Sequence, residues 1–202
     1  MQIVRQDRPG QSLPLHALRG ARSKRGVTLM EVMAVVAIMG ILSGLGVASL
    51  RDAIANARIK DAAYNVTAYM ERTANEARRL NTTLCVVRES GQKLVTFVSD
   101  CTDANTASKK ASLTRTDSLI LESPNRILQN DEVTAAAILG GVNLVTDGAE
   151  FTPRPGLSAA PSAGFIAVQY GGNGRYGAAA KVKTKNSFVP MMKYDDGNWF
   201  GL

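Results

Sequence analysis

The chain has 202 residues, with 24 Lys and Arg against 17 Asp and Glu for a formal charge of +7, and 45% of it is apolar. These values fit one folded domain with an appendage and exclude wholesale disorder. The single histidine, His16, precedes the first apolar segment, and there are two cysteines. If that leading stretch is removed, no His triad, His general base or His-metal site is available, and two thiols cannot build an all-cysteine zinc site.

The positive balance invites a nucleic-acid or membrane-surface reading, but it is unevenly placed. Residues 1–26 hold Arg5, Arg8, Arg19, Arg22, Lys24 and Arg25 against Asp7 alone, which is five of the seven net charges. From Val32 to Leu50 there follow 19 residues without a charge, VMAVVAIMGILSGLGVASL. At ~1.5 Å per residue this run spans roughly 28 Å, close to a hydrocarbon core of about 30 Å, and predicts a transmembrane helix. Basic residues before it predict a cytoplasmic N-terminus and an exported C-terminal domain. A secretory signal would have a shorter apolar stretch and then a small-residue cleavage site. Here a charged helical pattern follows, RDAIANARIKDAAYNVTAYMERTANEARRL, so the helix is expected from about Thr28 to about Leu80. Gly40 and Gly44, with Gly46 beyond, have a spacing that lets helices approach, although glycine is common in membrane helices. Glu31 sits at the mouth of the run, where a carboxylate is costly unless it finds a partner or lies in the headgroup zone.

After Arg51, Ile59, Ala62, Ala63, Val66, Tyr69, Met70, Thr73, Ala77 and Leu80 recur at steps of three and four, predicting one face against a core. Thr83–Arg88 and Lys93–Ser99 flank Glu89-Ser90-Gly91-Gln92 as a hairpin. Further strands are expected at Ser118–Glu122, Ala136–Leu139, Gly164–Tyr170, Ala179–Lys185 and Phe188–Tyr194, separated by Asn-, Asp-, Gly- and Pro-rich stretches. Cys85 and Cys101 bracket the first hairpin; in an exported domain they are expected to form a disulfide, the alternative being two free buried thiols. No phosphate loop or dinucleotide fingerprint occurs.

The stretch KRGVTLMEVMAVVAIMGIL resembles the N-terminus of type IV prepilins, shared by type IV pilins and type II secretion pseudopilins. The resemblance rests on a basic leader ending in Gly26, the Thr28-Leu29 pair, Glu31 at its spacing and the unbroken apolar span. It implies cleavage by a prepilin peptidase between Gly26 and Val27 and methylation of the new Val27 amine, at a position where the family usually has Phe. It also implies that the Glu31 carboxylate pairs with the N-terminal amine of a neighbouring subunit. Either charge alone would cost several kcal/mol (order of magnitude) in an apolar bundle. Phe151-Thr-Pro153-Arg-Pro155-Gly156 resembles the Phe-x-Pro-x-Gly turn of the pseudopilin H and FimU/FimT group, from whose commoner spelling the extra Pro155 departs. Gly172-Asn-Gly174-Arg175-Tyr176-Gly177 is similar to a Gly-Arg segment near the end of that group, without the second Arg that some DNA-binding members have.

Lys181, Lys183 and Lys185 alternate, so on a strand they would share one face and, with Arg175, form a small cationic patch beside Tyr176. The alternative is a solvated edge strand whose lysines discourage pairing. Asp195-Asp196-Gly197 lacks the ligand run of a calcium loop and reads as a turn. Trp199 and Phe200 are expected to cap the core or mark a subunit contact.

The expected fold is therefore α+β: a long N-terminal transmembrane helix continuing as a stem packed on a C-terminal antiparallel β-sheet domain. Its parts are a cleaved cytoplasmic leader (1–26), a transmembrane half-helix (27–50), an amphipathic stem (51–80) and a periplasmic β-rich domain (81–202). The resemblance implies a minor pilin or minor pseudopilin, a structural subunit without catalytic site, cofactor or metal, sited in the inner membrane and then in a pilus or pseudopilus near its tip. The implied partners are prepilin peptidase, other pilin or pseudopilin subunits and inner-membrane lipid. DNA uptake through Arg175 and the lysines, and a membrane-anchored enzyme with an unrecognised site, are the alternatives.

Overall fold

The computed structural model describes residues 26–129, 139, 141–154, 156–157, 164–172, 174–193 and 197–202. The first helix, α1, covers Leu29–Leu80, and the chain divides into two compact units, Met1–Leu45 and Gly46–Leu202. In the first, every described residue is exposed and helical from Leu29 onward. The helix is long and apolar enough to cross a membrane, and its apolar span is not buried against the rest of the chain.

The second unit holds the stem and the β-rich domain. Ile59, Ala62, Ala63, Val66, Tyr69, Met70, Ala74 and Ala77 form one buried stripe of the stem, as the three-and-four spacing requires. Thr73 is buried in the same stripe and donates its hydroxyl to the Tyr69 carbonyl one turn back at 2.9 Å. Leu80, expected on this face, is 40% exposed, because the helix ends there. Asn81 takes φ 51°, and the Thr82 N–H donates to the Ala77 carbonyl at 3.1 Å. That left-handed residue closes the last turn and reverses the chain.

Two sheets pack on the stem rather than the one that was expected. The first contains β1 (Leu84–Ser90), β2 (Lys93–Val98), β3 (Arg115–Ile120), β6 (Ala149–Thr152) and β7 (Gly156–Leu157), in the order β3-β2-β1-β6-β7. The second contains β4 (Asn125–Ile127), β5 (Val142–Asn143), β8 (Gly164–Tyr170), β9 (Gly177–Thr184), β10 (Ser187–Lys193) and β11 (Trp199–Gly201). Its order is β11-β10-β9-β8-β4, with β5 pairing parallel to β8 as the exception to antiparallel pairing. Short helices α2 (Cys101–Asn105), α3 (Ala107–Lys110) and α4 (Leu144–Asp147) connect strands. Leu139, expected at the end of a strand, is helical, and the rest of that expected strand lies outside the described residues.

Strand alternation builds three layers of core. Leu84, Val86, Leu94, Ala149, Phe151 and Leu157 of the first sheet, with Ile166, Val168, Ala178, Ala180, Val182 and Phe188 of the second, join the stem stripe. On the far face of the first sheet, Cys85, Val87, Val95 and Phe97 are covered by Cys101 and Ala104 of α2. On the far face of the second, Phe165, Ala167 and Ala179 lie under Leu128 and Leu139, with Trp199 packed against them. Strand β8 is therefore buried on both faces, which accounts for its continuous apolar run.

Candidate functional site

The first turn of α1 contains Thr28, Leu29, Met30 and Glu31. The Glu31 N–H donates to the Thr28 hydroxyl at 3.2 Å and to the Thr28 carbonyl at 3.1 Å. Thr28 thus caps the helix, and the Thr-x-x-Glu spacing is that of a capping box, a signal readable in the sequence that the sequence reading did not use. The Glu31 carboxylate lies in the first helical turn, where the helix dipole favours negative charge. Gly26 has no atom within 4 Å of where a Cβ would sit, and Val27 is 69% exposed. The peptide bond between them is open to approach. Gly40, Gly44 and Gly46 present the same open space along the helix.

Cys85 and Cys101 are disulfide-bonded, with their Cα atoms 5.1 Å apart. The bond ties β1 to the start of α2 over Gly148. That glycine has φ +84°, and an added Cβ would lie 2.7 Å from the Cys101 sulfur. The Cys101 N–H donates to the Glu150 carboxylate at 3.1 Å, and Asp100 caps α2 by accepting from the Asp103 N–H at 2.8 Å.

Phe151 to Gly156 lead from β6 to β7 within the first sheet and touch the β9–β10 hairpin of the second. Phe151 is fully buried in β6 and meets Phe188 edge-on with ring centroids 6.2 Å apart. Gly156 takes φ +80° in β7, where a Cβ would lie 2.6 Å from the Lys185 carbonyl. The Leu157 N–H donates to that same carbonyl at 2.8 Å. From the stem, the Glu71 carboxylate accepts from the Phe188 N–H at 3.0 Å and the Ser187 hydroxyl at 3.3 Å. The β9–β10 turn is thus held from two sides. Pro155 lies outside the described residues.

Arg175 and the three lysines are not brought into one patch. Lys181 and Lys183 share a face of β9, while Lys185 is in the turn beyond the strand. Arg175 precedes the opposite end of β9. At about 3.3 Å per residue, Gly177 and Lys183 are separated by roughly 20 Å. Lys181 is half-buried. The edge-strand explanation of the lysines does not hold either, since β9 runs between β8 and β10. Tyr176 donates its hydroxyl to the Asp52 carboxylate at 2.6 Å, Arg175 lies 3.9 Å from the other oxygen, and its guanidinium sits 5.2 Å from the Tyr176 ring centroid. Asp52, an acid of the stem, has no local signal that marks it as their partner. Trp199 packs on the outer core and Phe200 lines a cleft beside Asp52. Asp195 and Asp196 lie outside the described residues, and among those described no cluster of three His, Cys, Asp or Glu could hold a metal.

Neither a curated protein nor a solved structure matches the chain. Residues 21–47 match the family model of the prokaryotic N-terminal methylation motif, so the chain carries a type IV prepilin-like N-terminal signal.

Proposed function

We propose that the chain is a minor pilin or minor pseudopilin, a non-catalytic subunit that is cut between Gly26 and Val27, methylated on the Val27 amine and assembled from the inner membrane near the tip of a filament. The observation that carries this reading is the methylation motif at 21–47 opening a helix that leads from an exposed apolar span into the stem of an α+β domain. The N-terminal helix supplies the contact with other subunits, and the exported domain is presented beyond the membrane. The capped first turn holds Glu31 at a fixed place relative to the new N-terminus. Its carboxylate then seats against the amine of the neighbouring subunit, since both charges would otherwise be stranded in an apolar bundle.

The test is Glu31→Ala in the native host. The variant is expected to insert into the membrane and to be missing from purified filaments; its normal incorporation would sink the reading. Mass spectrometry of the mature protein is expected to show Val27 as first residue with one added methyl group. Deletion separates the two branches: loss of piliation assigns the pilus, and loss of protein secretion assigns the pseudopilus. The distance along β9 between Arg175 and the lysines counts against DNA uptake as a second reading.

A further inference from the structure

A cleft of about 420 Å³ lies at the stem beside the ends of β9, β10 and β11. Its walls are of two kinds. Met192, Phe200 and the Tyr176 ring supply apolar surface, while Arg175 and Lys193 supply cations, with Asp52 on the stem side. The Asp52 carboxylate is engaged by the Tyr176 hydroxyl at 2.6 Å and more loosely by Arg175 at 3.9 Å, and Arg175 remains 48% exposed. Lys193 donates to the Gly174 carbonyl at 3.1 Å, which holds the β8–β9 turn against the end of β10. Gly171, Gly172 and Gly174 of that turn have nothing within 4 Å of where a Cβ would sit.

The position of the cleft on the stem decides what it meets. Asp52 comes two residues after Leu50, where the uncharged run ends, and exposed Arg51 lies between them. A run of this length fills the hydrocarbon core, so the residues that follow it lie at headgroup depth. Aromatic side chains with one polar end are suited to that depth, and cations there are drawn to anionic lipid.

We propose that this cleft docks on the membrane surface and takes an anionic phospholipid headgroup, with Arg175 and Lys193 around the phosphate and Met192, Phe200 and Tyr176 against the glycerol and upper acyl region. The contact orients the exported domain on the bilayer before the subunit leaves it. The proposal rests on the membrane-anchored reading above.

The test uses the full chain in nanodiscs of phosphatidylcholine alone and in nanodiscs with phosphatidylglycerol added. Amide exchange at 174–177 and 188–193 is followed with the emission of Trp199, the single tryptophan. Slower exchange is expected in the anionic discs alone, weakening as salt is raised. The Arg175→Gln/Lys193→Gln double variant should lose about tenfold or more of that preference. Lys193→Gln alone keeps the Arg175–Tyr176 stacking and should lose part of it. Unchanged melting in phosphatidylcholine discs is the control for folding. Equal exchange in both discs, or a preference that survives the double substitution, overturns the proposal. So does a double variant that loses binding to a second subunit in detergent and shows no lipid-dependent change, which would make the cleft a protein interface. A chain that enters neither disc would overturn the membrane reading and this proposal with it.

Discussion

The Tyr176 hydroxyl donates to the Asp52 carboxylate at 2.6 Å, linking residues 124 apart in the chain. This bond pins the turn between β8 and β9 to the stem. Both residues touch solvent, which screens the bond below the usual charge-assisted range, to about 0.5–1 kcal/mol. Tyr176→Phe should lower stability by about that amount in thermal melts of the purified chain. Asp52→Asn keeps an acceptor and should lose less.

Tyr69 and Thr96 share a buried hydrogen bond of 2.6 Å between the stem and β2. Burial pushes the Tyr69 phenol up from 10.0 to about 12, with the Thr96 bond opposing the shift. The unfolded chain releases this proton near pH 10 and the folded chain near 12, so the unfolded state binds fewer protons between them. The stabilising contribution is complete below pH 10 and is lost as pH rises towards 12. Tyr69→Phe should remove that alkaline component from the pH-stability profile. At neutral pH it should cost about 1–2 kcal/mol, since the Thr96 hydroxyl is left buried without its partner.

The Cys85–Cys101 bond closes a short loop with a sequence separation of 16. Replacing both by Ser should cost roughly 3 kcal/mol in denaturant titrations. Gly148→Ala is strained twice, by φ +84° and by sulfur atoms 2.7 and 2.9 Å from the new Cβ. It should cost about 2 kcal/mol or more when the cysteines are bonded. The penalty should shrink in the double-serine background, where smaller oxygens replace the sulfurs. A double-mutant cycle measures that coupling.

Glu71 holds the β9–β10 turn from the stem by accepting from the Phe188 N–H at 3.0 Å. Glu71→Ala strands this N–H in a half-buried site and should cost about 1–2 kcal/mol. Glu71→Gln retains a carbonyl acceptor and should cost less. Gly156→Ala collides with the same turn from the other side, so its cost should be less than additive with that of Glu71→Ala. Melting of the two single variants and the double variant checks this.

Much of the helix was legible beforehand because its signals are local. The uncharged run, the stem periodicity and the basic leader lie within a few turns of one another, and α1 was expected to within a residue at each end. Strands β1, β2, β8 and β10 were visible as apolar runs between turn residues. Strands β6 and β7 were not recognised, because Ala149–Thr152 and Gly156–Leu157 are short and gain their pairing only from β1 and from each other. β11 was missed for the same reason, with three residues that depend on β10.

The sequence by itself determined the N-terminal signal, the apolar span, the stem face and the presence of a β-rich domain, since each follows from composition or period along one segment. Tertiary structure decided what distant segments do to one another. It split the strands into two sheets and placed β9 in the interior of one of them. It set Arg175 far from the lysines expected beside it and chose Asp52 as the partner of Tyr176. It also set Leu157, after the Phe151–Gly156 turn, against the β9–β10 turn of the other sheet. The physical reason is that strand order and side-chain pairing are fixed by burial summed over residues far apart in the chain, and no local pattern carries that sum.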